Sequence, residues 1–236
     1  MNTVEPTGTV TTAAGLNVYH ALPERASRGA MLLLPAAYGF NAGLRHWADD
    51  IARTGVIALA WDPFHGRDVS GLPIAEIMPI LGSITDDQAL AEQRLLLDHL
   101  REELGAERVG VIGWCFGGRL ALVLAGSEPG LAACIAYHPS IRAQRGPQQT
   151  QDPLALARDI RCPVQWVHPA ADQVITPEVF TELRTALESR VVGATEVQIH
   201  PGAEHGFMER PTSEANATAT RLAWPQTLAF IRAAVG

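Results

Sequence analysis

The chain has 236 residues, 47% of them hydrophobic, and a formal net charge of −7. That is enough apolar material for one well-buried core, so a single domain over 1–236 is expected. The acidic balance, with no Lys/Arg cluster longer than a pair, gives no footprint for nucleic acid or an anionic membrane surface and points to small-molecule partners. No apolar run approaches the roughly 20 residues of a spanning helix. Met1-Asn-Thr-Val-Glu-Pro6 has neither a basic start nor an apolar h-region, so a cytoplasmic protein is expected. Cys115, Cys134 and Cys162 include no CxxC pair, which argues against a disulfide framework or a zinc knuckle.

In chain order, Val10 to Ala21 alternates and predicts an antiparallel edge hairpin. Ala30 to Leu34 is a continuous apolar run closed by Pro35, the pattern of a strand buried on both faces. Asn41 to Thr54 carries Leu44, Trp47, Ala48 and Ile51 at helical spacing. Val56 to Ala60 is a second buried strand, and Trp61 to Arg67 the loop leaving it. From Val69 to Thr85, Gly71, Pro73, Pro79 and Gly82 break the pattern, so a loop with one short helical turn is expected. Asp86 to Leu104 predicts a long helix.

Further along, Val109 to Ile112 and Ala132 to Tyr137 predict strands, and the polar stretch Pro139 to Asp152 a loop. Val164 to His168 predicts a strand, and Pro177 to Ser189 a helix capped by Thr176. A last strand over Thr195 to His200 and a helix over Thr220 to Val235 complete the chain. The βαβα alternation requires an α/β fold: a mostly parallel central sheet with helices on both faces.

Between Ile112 and the helical segment lies Gly113-Trp-Cys-Phe-Gly117. The spacing Gly-x-Cys-x-Gly is that of a nucleophile elbow, with a thiol in place of the usual hydroxyl. Functional groups of open parallel sheets gather beyond the carboxyl ends of strands. Asp172 and His205 both follow strands there, giving the order nucleophile, acid, histidine. A free thiol is only a few per cent thiolate at neutral pH, so Cys115 needs a base. His205 supplies it, and Asp172 fixes the imidazole tautomer. The oxyanion donors are expected to be the backbone N–H groups of Phe116 and Ala37. Ala36, Tyr38, Trp61, Phe64, His65, Trp114, Tyr137, Phe207 and Arg210 are candidates for the substrate pocket.

Other roles compete for some of these residues. Cys134 and Cys162 read as buried thiols, and Asp172 has the position of a turn residue before a helix. His65 also follows a strand and is the main rival to His205. His200 and Glu204 lack a third ligand at a diagnostic spacing, so no metal is expected.

Leu34-Pro-Ala-Ala-Tyr-Gly-Phe-Asn41, Asp62-Pro-Phe-His-Gly-Arg67, Gly113-Trp-Cys-Phe-Gly-Gly118, Ala171-Asp172 and Ala203-Glu-His-Gly-Phe207 together resemble the dienelactone hydrolase family (carboxymethylenebutenolidases), in matching order over about residues 10 to 236. The resemblance implies an α/β-hydrolase fold, a triad of Cys115, Asp172 and His205, no cofactor, and hydrolysis of a lactone or small ester. Two departures stand beside it. The family glutamate that helps form the thiolate is replaced by Ala36. An arginine that holds the substrate carboxylate shortly after the histidine is replaced by Met208-Glu209, with Arg210 one position later. A neutral or larger lactone or ester is therefore expected in place of a carboxylated dienelactone. A binding protein without turnover, or an acyltransferase or lactone-forming enzyme, would use the same elbow.

Overall fold

The computed structural model describes residues 7–25, 27–69 and 71–236; the reading of the N-terminus falls on residues 1–6, outside them. A hairpin of β1 (Thr9–Ala13) and β2 (Leu16–Ala21) precedes β3 (Gly29–Leu34), α1 (Ala42–Arg53), β4 (Ile57–Trp61), α2 (Ile74–Leu81) and α3 (Asp86–Asp98). The chain continues through β5 (Arg108–Trp114), α4 (Phe116–Ser127), β6 (Ala133–Tyr137), α5 (Pro153–Leu156), β7 (Val164–Pro169), α6 (Pro177–Glu188), β8 (Thr195–His200) and α7 (Glu214–Val235).

The strands form one sheet in the order β1-β2-β4-β3-β5-β6-β7-β8. Pairing is antiparallel along β1-β2-β4 and parallel from β4 to β8. All six residues of β3 are buried, and they divide with period two between two apolar layers. Ala30, Leu32 and Leu34 face the layer containing Leu97, Leu120 and Leu183, from α3, α4 and α6. Met31 and Leu33 face the layer containing Trp47 and Ile231, from α1 and α7. Continuous apolar strands are what a sheet covered on both sides requires.

Four segments depart from the expected pattern. The loop 69–85 contains α2, eight residues long with Pro79 inside it. Burial of Ile77 and Leu81 on one face outweighs the hydrogen bond that the proline removes. The helix over Asp86–Leu104 becomes one π-helical turn at His99–Glu103. The short α5 has no counterpart in the expected pattern; the Asp152 side chain accepts from the N–H groups of Leu154 and Ala155 and starts it. Finally, α7 begins at Glu214 rather than Thr220, because the Ser213 side chain accepts from the Asn216 N–H and caps the helix earlier.

The order β4-β3-β5 makes the chain leave β3 in one direction and return on its other side. This reversal opens a crevice beyond the carboxyl ends of β3 and β5, where α/β sheets bind ligands.

Candidate active site

Cys115 occupies the turn between β5 and α4 with φ 51° and ψ −109°. Such a backbone costs a non-glycine residue about 1–3 kcal/mol and persists only where its surroundings impose it. Those surroundings are on both sides. The Cys115 N–H donates to Tyr137 O at 3.1 Å, its carbonyl accepts from Ser140 N–H at 2.9 Å, and Gly117 N–H donates to Pro35 O at 3.1 Å. A Cβ at Gly113 would run into the Gly117 carbonyl, and one at Gly117 into the Leu34 carbonyl. The two glycines are therefore required by the close approach of β3, β5 and α4. Cys115 stands at the N-terminus of a twelve-residue helix, where the helix dipole is positive. The Phe116 N–H, in the first turn, has no intrahelical acceptor.

His205 and Asp172 come from the loops after β8 and β7. The Nδ1 atom of His205 lies 3.0 and 3.1 Å from the two carboxylate oxygens of Asp172. Asp172 also accepts from the N–H groups of Val174 at 2.7 Å and Ile175 at 3.3 Å. Burial pushes the Asp172 carboxyl up, but the hydrogen bond from His205 and those two N–H groups leave it below the usual range. For His205, burial pulls the imidazole down, and the hydrogen bonds to Asp172 and Cys115 more than offset it. No well-aligned hydrogen bond to His205 Nε2 forms among the described residues. Cys115 and His205 thus share one cavity without a formed hydrogen bond at Nε2, a contact that catalytic pairs commonly tighten when substrate binds.

Cys115 and His205 open onto a cavity of about 310 Å³ shared with Ala36, Ala37, Tyr38 and Phe116. The Ile74, Met78, Leu81 and Ile84 side chains form an apolar wall, and Arg142, Gln148, Gln149, Glu209 and Arg210 provide polar groups. A larger depression of about 840 Å³ lies between the end of β2 and α1, bordered by His20, Arg25 and Asp49; it contains no cysteine or serine and is remote from the elbow. Among the described residues, no group of three or more His, Cys, Asp or Glu side chains is arranged to hold a metal.

The sequence model of the dienelactone hydrolase family matches residues 16–235. This chain belongs to that family. It is 29% identical over 227 residues to the carboxymethylenebutenolidase of Rhodococcus opacus, covering 89% of this chain and 83% of that one. It is 26% identical over 209 residues to a Bradyrhizobium protein named "Probable 2-oxo-3-(5-oxofuran-2-ylidene)propanoate lactonase", covering 86% and 83%. The crystal structure of a dienelactone hydrolase-like promiscuous phosphotriesterase from metagenomic libraries superposes with a TM-score of 0.76 at 20% identity, over 97% of this chain and 98% of that one. The eight-stranded, mostly parallel sheet with helices on both faces is thus the α/β-hydrolase fold of dienelactone hydrolases.

Against the family pattern, the structure brings Ala36, Tyr38 and Arg210 to the cavity and leaves six other expected pocket residues out of it. Trp61 is fully buried and donates through Nε1 to Glu92 at 2.8 Å. His65 Nε2 lies 2.9 Å from the same carboxylate, so this rival histidine belongs to a structural network. Phe64 borders a separate depression with Arg67 and Val69. The motif Asp62 to Arg67 is a turn, closed by Asp62 accepting from the N–H groups of Phe64 and Gly66. Trp114 and Tyr137 pair across β5 and β6 and point into the α7 layer, where Trp114 stacks on Trp47 at 4.6 Å between centroids. Tyr137 Oη meets Thr227 Oγ1 at 2.6 Å, and Phe207 packs in the same layer. For Trp61, Trp114 and Tyr137 the reason is the alternation of strands: a large aromatic at a strand end faces the covering helices and not the crevice beyond it.

Sequence patterning missed the α2 wall and two buried polar groups. Those are His138, just past β6, and Glu209, whose side chain is 7% exposed. The conformation that sets His138 in place, φ 33°, has no readable pattern in the residues around it.

Proposed function

We propose that this protein hydrolyses a lactone or small carboxylic ester through an acyl-thioenzyme on Cys115. The observation carrying the proposal is the meeting of Cys115 and His205 at one mostly apolar cavity, with Asp172 behind His205 at 3.0 Å. His205 accepts the thiol proton, and the thiolate attacks the carbonyl carbon. The N–H groups of Phe116 and Ala37 stabilise the oxyanion. When the tetrahedral species collapses, the carbonyl–oxygen single bond breaks and the leaving alkoxide takes the proton from the His205 imidazolium. For a lactone, that hydroxyl stays attached to the acyl group. Water then gives a proton to His205 and attacks the thioester, and the sulfur leaves and is reprotonated.

With Ala36 replacing the glutamate, the thiol has His205 as its proton acceptor. The Ile74, Met78, Leu81 and Ile84 wall favours a neutral, apolar acyl group over a carboxylated dienelactone. A panel of lactones and p-nitrophenyl esters varying in length and charge tests this, with intact-mass detection of the acyl-enzyme. Turnover of the neutral substrates is expected to require both Cys115 and His205. Unchanged rates in Cys115→Ala or His205→Ala, with the fold intact, would remove the assignment.

A further inference from the structure

His138 and Glu209 lie within the same cluster of rings and charges as the candidate base, yet the proposed steps use neither. His138 is fully buried, anchored by its N–H donating to Val167 O at 2.9 Å. Its ring meets His205 edge-on, with 4.8 Å between centroids at 64°, and packs against Phe207 at 5.7 Å. Its Nε2 atom is 3.4 Å from Glu209 Oε2. That spacing is long and off-axis for a hydrogen bond, and neither carboxylate oxygen of Glu209 has a hydrogen-bond partner among the described residues. A buried carboxylate without hydrogen bonds stays ionised only beside a compensating cation. The group facing it is His138.

We propose that His138 and Glu209 are a positioning pair for His205: the carboxylate holds a proton on the His138 ring, and that buried cation, edge-on to His205, opposes protonation of the His205 imidazole and so favours the form able to take the thiol proton. The cavity that lacks a carboxylate at Ala36 has one at Glu209, acting through a second histidine and not on the sulfur. The need for such a group comes from the triad itself. Asp172 and Cys115 both raise the basicity of His205, and His138 opposes them. An imidazole protonated at rest cannot act as a base. Burial pushes the Glu209 carboxyl up, but His138, then its own backbone N–H and last His205 bring it below its usual value. The titratable groups facing this pair are His205 and Cys115 on the cavity side, with Asp172 behind His205 and His168 at the end of β7.

The inference rests on His205 being the base of the proposed reaction. Its test is an NMR titration of the imidazole side chains in the full chain without substrate. The His205 signal among the eight histidines is assigned from the spectrum of His205→Gln. His138→Gln, which removes the ring, and Glu209→Gln, which lets His138 release its proton and removes only a smaller direct attraction between the carboxylate and His205, are both expected to move the His205 midpoint to higher pH. The double variant His138→Gln/Glu209→Gln, which leaves no buried charge, is expected to do the same if either single variant folds poorly. In turnover, the acid limb of kcat/KM should shift with it. The loss at pH 6 should then exceed that at pH 8 severalfold, since the limiting change in neutral fraction for one pKa unit is about tenfold. An unmoved or lowered His205 midpoint in the folded variants would overturn the proposal and leave the pair a packing feature. Because the midpoint is read without substrate, absence of ester hydrolysis would defeat the proposed function and leave this result standing.

Discussion

Replacing Arg119 by Met tests how the cavity is held open to substrate, because Arg119 lies four residues after the nucleophile and never reaches the cavity. Its guanidinium pairs with Asp86 through two contacts of 2.7 Å, with side-chain exposures of 1% and 3%. It also donates to Gln151 O at 3.0 Å. Asp86 in turn accepts from Gln151 N–H at 2.8 Å and donates its own N–H to Gln148 O at 3.0 Å. One buried ion pair therefore ties α3 and α4 to the loop that brings Gln148 and Gln149 to the cavity. Removing one partner of such a pair costs about 3–5 kcal/mol, because the other charge is left buried. Here Asp86 keeps one N–H and the N-terminus of α3, which offsets up to about 1 kcal/mol. The expected loss is therefore near the lower end, about 3 kcal/mol, or roughly 6–12 °C in Tm for a chain of this size.

Arg119→Met/Asp86→Leu separates the stranded charge from the lost anchor. An apolar pair of similar volume is often as stable as the ion pair it replaces. Most of the stability should return, while turnover should stay low because Gln151 has lost both of its side-chain partners, Arg119 and the Asp86 carboxylate. Urea denaturation of the three proteins measures the first quantity and ester turnover the second. An Arg119→Met variant within about 1 kcal/mol of the parent would refute the reasoning, since that is the range of an exposed pair.

Asp172→Asn removes the acceptor that fixes the His205 tautomer and should lower kcat by about 10³–10⁴-fold with little change in folding; steady-state rates across the ester panel check it. The pH dependence of stability carries a second signature of the same contact. The Asp172 carboxyl is depressed, so its contribution is present above its unfolded value of about 4 and is lost as pH falls through the lower folded value. His205 is raised, so its contribution is complete below its unfolded value of about 6.5 and is lost as pH rises through the folded one. The stability difference between the parent and Asp172→Asn should therefore peak between about pH 4 and 6.5 in denaturation series. A difference that grows steadily toward alkaline pH would contradict the assignment.

The sheet was legible because its signals are local and redundant. Ala30 to Leu34 carries apolar side chains on both faces, and Asn41 and Thr176 stand where helices need their oxygen acceptors. The elbow was legible for a related reason: Gly113 and Gly117 answer to steric contacts that only glycine tolerates, and they sit at fixed spacing from the thiol. Asp172 and His205 were legible by place, each standing in the first loop beyond a strand, β7 and β8 respectively. Punctuation misled where tertiary burial overruled it. Pro79 reads as a break, yet Ile77 and Leu81 hold α2 against the core.

The same limit explains the pocket. A strand-end aromatic has two faces available and nothing local decides between them. Trp114 and Tyr137 read as crevice residues, although the register of β5 with β6 sends both into the α7 layer. Glu209 shows the converse. Two residues after Phe207, in a segment with no regular period, it stands out in the sequence only as a departure from the family's arginine. It is buried only because the turn at His205–Arg210 folds back, with Arg210 N–H donating to Gly206 O at 3.0 Å. That fold brings the carboxylate to His138, seventy-one residues earlier in the chain. The distance between them in sequence is what hid the pair. Cys115, Asp172 and His205 stand beyond strand ends in chain order and can be read from the sequence, whereas His138 and Glu209 meet only through the closure of two loops.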